Sequence, residues 1–155
     1  MEHARDGGRA WRADLRTWLD CELGHTTFDP VPASDRILTR LGVQNRLHLL
    51  KRTDPERYAS IVRMLVRRDL RVLSQQCDYV ICYWDRASAR GAGTQGEVTL
   101  ARFLRKPVYV VAGMSSDRIP GWITGCATRV LPSFTALRKL LRTKYPSRKE
   151  NRHGK

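Results

Sequence analysis

Glu97 stands near the start of a helix-like run in "GAGTQGEVTLARFLRKPVYVV", directly after a glycine-containing loop at 91–94. Such a loop can bring backbone amides close to a sugar or a phosphate, because glycine removes the Cβ obstacle and a helix N-terminus favours anionic groups. "GAGT" has neither the G-K-[ST] of a P-loop nor the glycine register of a dinucleotide fingerprint, so alone it reads equally well as a turn from strand to helix. Glu97 has two readings. Three residues after Thr94, it fits the N3 position of a capping box. The same position also directs a carboxylate from the first helical turn towards the strand ends, where a ligand held by the loop would lie. Asp85 closes the preceding strand-like run, and Asp69 lies on the helix-like segment before it, beside a run of arginines. Three carboxylates can thus converge on one cleft, which separates an enzyme from a plain nucleotide-binding fold.

The elements that must position these groups follow from periodicity. "DYVICYW" (78–84) and "KPVYVVAG" (106–113) are nearly continuous apolar runs rich in β-branched and aromatic residues, the pattern of strands buried on both faces of a parallel sheet. A helix over 94–105 connects them. Before them, Asp54 as cap, Pro55 at the first helical position and apolar residues at helical spacing from Tyr58 to Leu73 predict a long helix with a basic face, Arg63, Arg67, Arg68 and Arg71. Residues 8–23 predict an amphipathic helix ended by Gly24. "HTTFDP" predicts a brief strand stopped by Pro30 and followed by a loop, "VPAS", and 34–50 one or two short helices. After a loop around "MSSDRIPGW", "TRVL" predicts a short edge strand and "SFTALRKLLRTKY" a last helix capped by Ser133. Strand and helix alternate, so the expected fold is α/β, an open parallel sheet with helices on both faces and ligands at the carboxyl ends of the strands. The first helix arrives within ten residues of Met1, so the sheet is expected to lack the buried first strand with which such domains start.

The bulk numbers bound the function. A chain of 155 residues, 41% hydrophobic and 28% charged, is expected to form one globular domain over 1–144, with a basic, disordered tail at 145–155. No apolar run approaches the roughly 20 residues of a membrane span, and no signal-peptide pattern opens the chain, so a cytoplasmic protein without membrane contact is expected. Cys21, Cys77, Cys82 and Cys126 form no C-x-x-C pair and the four histidines are scattered, so no metal site, disulfide framework or cofactor is spelled out. The net charge of +14 suggests nucleic acid, yet eight Lys or Arg against one acid fall between Arg138 and Lys155. Either a solvated basic tail or a polyanion-binding one accounts for half of the excess.

The segments "RRDLRVLSQQCDYVICYWD" and "GAGTQGEVTLARFLRKPVYVVAG", with "IPGWITG" beyond them, resemble the nucleoside 2-deoxyribosyltransferase-like proteins. Those pair an aspartate on a helix with a strand ending in Asp and a GT-x-x-E…A…KPV segment. The likeness covers most of residues 1–141 and is most specific over 69–111. It implies a flavodoxin-like, Rossmann-like fold and chemistry at the N-glycosidic bond of a nucleoside or its 5′-monophosphate, in a homo-oligomer. By motif position Glu97 matches the nucleophile and Asp69 an aspartate that relays a proton to the nucleobase. Gly93 and Thr94 match the loop that holds the sugar or its 5′ group, and Asp85 an acidic position lining the base pocket. Two features depart from the pattern. The family's first strand with its Gly-Pro turn has no counterpart after Met1, and an aspartate that some members carry six residues before the nucleophile is here Gly91.

The chemistry suits a carboxylate pair. Cleaving the bond builds oxocarbenium character at the anomeric carbon, which a nearby carboxylate can stabilise and capture as a glycosyl ester. A carboxyl group that protonates the departing base contributes roughly 10²- to 10⁴-fold. A second base then gives transfer and water gives hydrolysis. Arg86 and Arg90 suit a phosphorylated substrate or are simply solvated, and Trp122 is a pocket wall, a cap on a neighbouring subunit or a core residue. Two other functions fit the same residues: a non-catalytic nucleotide-binding module, and an accessory protein binding nucleic acid through its basic tail.

Overall fold

The computed structural model describes residues 8–146, which fall into two compact units. One comprises the chain up to Thr27 together with everything from Cys77 onward, and the other is Phe28–Gln76. The expected basic tail lies almost wholly outside the described residues.

The first unit is α/β, with a three-stranded, all-parallel open sheet in the order β1-β2-β3, a flavodoxin-like, Rossmann-like arrangement. Its strands are β1 (Val80–Trp84), β2 (Val108–Ala112) and β3 (Arg129–Leu131). Register pairs Ile81 with Tyr109 and Tyr83 with Val111, so these four share one face, while Cys82 and Val110 share the other. The first face packs on α1 (Arg9–Trp18) and α7 (Phe134–Lys144) through Leu15, Leu19, Leu23, Leu137 and Leu141. The second is covered by α5 (Ala92–Phe103), which packs on both β1 and β2 and on the short α6 (Gly121–Cys126). Helices thus lie on both faces, as the apolar runs require. β3 is the edge strand, three residues long and partly exposed. Among the described residues no strand precedes α1.

Local signals explain the helix ends. α1 runs on through a wider turn, Leu19–Leu23, and stops where Gly24 takes a left-handed conformation (φ 66°) that glycine adopts at no steric cost. Ser133 caps α7 by accepting from the Ala136 amide at 3.2 Å. Arg138 and Arg142 pair with Asp14 (2.6 Å) and Glu22 (2.7 Å) and lie over the Trp18 ring, so part of the C-terminal positive charge is engaged on α1 and the turn after it. These pairs are exposed and contribute little individually.

The second unit is helical: α2 (Pro30–Arg40), α3 (Leu47–Thr53) and α4 (Pro55–Gln76) around Leu38, Val43, Ile61 and Leu65. Asp54 starts α4 as expected, accepting from the Arg57 amide at 3.0 Å. The short strand expected in "HTTFDP" does not form, and "VPAS" is not a loop. Asp29 accepts from the Val31 amide at 3.0 Å and Pro30 occupies the first helical position, so the pair opens a helix instead of ending a strand. Nor is the stretch around "MSSDRIPGW" a plain loop, since it contains a 3₁₀ turn at Ser116–Arg118 and the start of α6. No helix among the described residues is long and apolar enough to cross a membrane.

Leu137 is fully buried between α7, β2 and α1. Leu137→Ala is expected to cost about 2–5 kcal/mol in chemical denaturation, and exposed Lys139→Ala about 0.5 kcal/mol or less.

Candidate functional site

Two loops leave the carboxyl ends of β1 and β2 side by side. Between them opens a cleft of ≈ 670 Å³ lined by Asp85 and Arg86 from the first and by Gly113, Met114, Ser115, Asp117 and Arg118 from the second. Of the residues singled out in the sequence, Asp85 and Arg86 line this cleft, whereas Glu97, Gly93, Thr94 and Arg90 are not among its lining residues. The second loop carried no expected role. It follows a buried strand just as the first does, so the rule that ligands sit at strand ends applies to it equally.

Asp85 also builds its own loop. Its Oδ1 accepts from the Ser88 amide at 2.8 Å and lies 3.0 Å from the Ser88 hydroxyl, which donates to the Tyr83 carbonyl at 2.7 Å. This network folds 88–90 into a 3₁₀ turn. Oδ2 has no partner among the described residues and is the oxygen available to a ligand. Gly113 closes the other side. A Cβ there would come within 2.6 Å of the Tyr83 ring, which packs against Trp11 and Phe134 at centroid distances of 5.9 and 5.3 Å.

α5 begins earlier than its sequence suggested. Gly91 is the N-cap, without a side-chain cap, and Ala92, Gly93 and Thr94 form the first turn. The "GAGT" segment is thus a helix N-terminus whose leading amides have no intrahelical acceptor, a setting that favours anions. Glu97 falls in the second turn, at the sixth helical position, so the capping-box reading fails on geometry: Thr94 is not the cap and Glu97 is not N3. Instead Thr94, Glu97, Val98 and Ala101 form one stripe, at i, i+3, i+4 and i+7, with Val98 and Ala101 fully buried and Thr94 and Glu97 partly so. The Cys82 thiol on β1 records where this carboxylate lies. Burial first, and then the Glu97 and Asp85 charges, push its pKa up to about 12 against the opposing charge of Arg12. Glu97 raises the pKa of both Cys82 in β1 and Cys77 ahead of it.

Asp69 belongs to the helical unit. Arg68 donates to its Oδ1 through Nε at 2.9 Å and Nη2 at 2.6 Å, and Nη2 also meets Ser34 Oγ at 2.8 Å. Burial raises the Asp69 pKa above its ordinary value while Arg68 lowers it, and burial wins. Trp122 is neither core nor cleft wall: it is 67% exposed, with Nε1 donating to Thr99 Oγ1 at 2.8 Å. Cys82 and Cys126 are buried and Cys21 exposed, all as free thiols. No group of three or more His, Cys, Asp or Glu among the described residues could hold a metal ion.

A raised carboxyl pKa means that Asp69 contributes most to stability when protonated, at pH below 3.8, and that this contribution is lost as pH rises through its folded-state value. Carboxyl NMR should show Asp69 titrating above 3.8, and higher still in Arg68→Met, where the cation that lowers it is gone. Gly113→Ala should cost about 1–3 kcal/mol by forcing the Tyr83 ring aside, and less when made on Tyr83→Ala. Comparison of the chain with protein-family models, with curated proteins and with solved structures finds no match.

Proposed function

We propose that the chain acts on the N-glycosidic bond of a nucleoside or its 5′-monophosphate, with Glu97 as nucleophile. A Glu97 carboxylate oxygen bonds to the anomeric carbon as the C–N bond breaks, and the electron pair leaves with the base, which takes up a proton. The resulting glycosyl ester on Glu97 is then attacked by a second base, giving transfer, or by water, giving hydrolysis. The observation that carries this reading is the placement of Glu97. It is partly buried on the inward stripe of the helix that follows the β1 loop, and it does not cap that helix. A carboxylate placed there without a capping role fits the position the family resemblance assigns to the nucleophile.

The other assignments rest on the same resemblance and on local chemistry. Gly93 and Thr94, in the first turn of α5, have the free amides a sugar or 5′-phosphate would use, and exposed Arg90 precedes them. Asp85 Oδ2 suits an exocyclic donor of the base. For Asp69, which belongs to the helical unit, the proton-relay role rests on the resemblance alone; within that unit burial raises its carboxyl pKa above the ordinary value.

The test is a panel of deoxynucleosides and deoxynucleotides incubated with and without a free base, with products identified. Glu97→Gln should lower turnover on the order of 10³-fold or more while leaving thermal stability near wild type. Asp69→Asn should lower it about 10²- to 10⁴-fold for ordinary bases and far less for bases that leave without protonation. Turnover by folded Glu97→Gln equal to wild type would sink the assignment.

A second reading is a non-catalytic nucleotide-binding module. It is favoured by the strand-end cleft, which contains Asp85, Arg86 and Arg118 but not Glu97. Binding without turnover, lost in Arg86→Ala and Arg118→Ala and kept in Glu97→Gln, would decide for it.

A further inference from the structure

α4 carries a second concavity that the glycosidic chemistry does not use. It is a groove of ≈ 460 Å³ lined by Arg63, Arg67, Arg68 and Arg71, with Met64 and Val72 between them and no carboxylate among its lining residues. Arg63, Arg67 and Arg71 repeat every four residues, so their Cα atoms climb about 6 Å per step along one side of the helix. All three are exposed, and none of their guanidinium groups has an ion pair or hydrogen bond among the described residues. No acid stands three or four positions from any of them to balance the charge. Like charges at that spacing destabilise a helix by about 0.2–0.5 kcal/mol per pair. The arrangement therefore costs stability in the free protein, and an anion in the groove would relieve it.

Arg68 adds an independent sign of a missing acceptor. Its Nε and Nη2 are engaged by Asp69 and Ser34, while its Nη1 is buried with no hydrogen-bond partner. The unit as a whole has ten Lys or Arg against five Asp or Glu over residues 28–76. The chain carries a net charge of +14, which disfavours a second copy of it as the occupant of this basic groove.

We propose that the Arg63–Arg67–Arg71 ladder of α4 is a docking surface for the phosphate backbone of double-stranded nucleic acid. Three features select this partner. The ladder is a row of repeated cations along an axis, which suits a repeated anion better than a single phosphate. The groove contains no aromatic side chain on which unpaired bases could stack, which argues for duplex over single strand. Its lining of arginines with Ser60, Met64 and Val72 holds no Asn, Gln or acidic side chain, so contacts to the phosphate backbone dominate the expected binding. This surface is separate from the basic tail, and the proposal does not depend on the glycosidic reading.

The experiment measures binding of the full chain to a random-sequence DNA duplex by fluorescence anisotropy across a salt series. Each arginine neutralising one phosphate contributes about 0.9 to the slope of log K against log salt. The variant R63Q/R67Q/R71Q should bind at least tenfold more weakly at low salt, with a slope shallower by about 2.7. Because the substitution removes like-charge repulsion, its melting temperature should match or exceed wild type, so a loss of binding cannot be assigned to unfolding. A chain ending at residue 146, which keeps Tyr145 in its packing with Tyr79 and Tyr109, should keep most of the ladder's contribution. Unchanged affinity and slope in the triple variant overturns the proposal. So does loss of duplex binding on tail deletion alone, or equal competition by an acidic polypeptide at the same charge concentration.

Discussion

Burial of β2 on both faces is the constraint on which the α/β unit depends. Val108, Tyr109, Val110 and Val111 are each at most 1% exposed, in the central strand of a parallel sheet. A strand with no wet face must be covered from both sides, and a parallel neighbour can be reached only by a crossover. α5 and α6 supply the cover on one side as they make the two crossovers, and α1 with α7 supplies it on the other. Both connecting loops must then leave from the carboxyl edge of the sheet. The cleft at Asp85 and Gly113 follows from that topology rather than from any local motif.

The same burial shapes the chemistry around β1. Cys82 loses solvation as part of the packed face, and the charges of Glu97 and Asp85 make its thiolate still less favourable, so it stays an inert thiol. Glu97 shares a helical stripe with fully buried Val98 and Ala101, which ties its placement to the core and not to a flexible loop. A carboxylate held by rigid packing is better pre-organised for a reaction than one on a mobile segment. Asp85 divides its work differently: one oxygen holds its loop in shape, and the residue lines the cleft.

In the helical unit Arg68 has the corresponding place. It connects α2 to α4 through Ser34, the one fully buried polar side chain among the described residues, and it opposes the effect of burial on Asp69. Its neighbours Arg63, Arg67 and Arg71 have no such partners, and this contrast within one helix separates structural arginines from those available to a ligand.

Much of the fold was legible because its signals are local or periodic. Continuous apolar runs marked β1 and β2, the caps Asp54 and Ser133 marked α4 and α7, and Gly24 marked the end of the first helix. The errors arose where one residue pair suits two structures. Asp29-Pro30 both ends a strand and opens a helix, and Gly91 to Thr94 can turn a chain or start α5. Local preference is too small to decide such cases, and packing of the following segment decides them. The sequence by itself determined the α/β class, the parallel sheet and the residues with chemical potential, since each depends on side-chain type and period. Only the tertiary structure decided that Met114, Ser115, Asp117 and Arg118 share a cleft with Asp85, that Glu97 is no helix cap, that Trp122 is exposed and that burial outweighs Arg68 at Asp69. Each of those depends on which distant segments pack against the residue, and that packing removes water and sets the charge environment at every site.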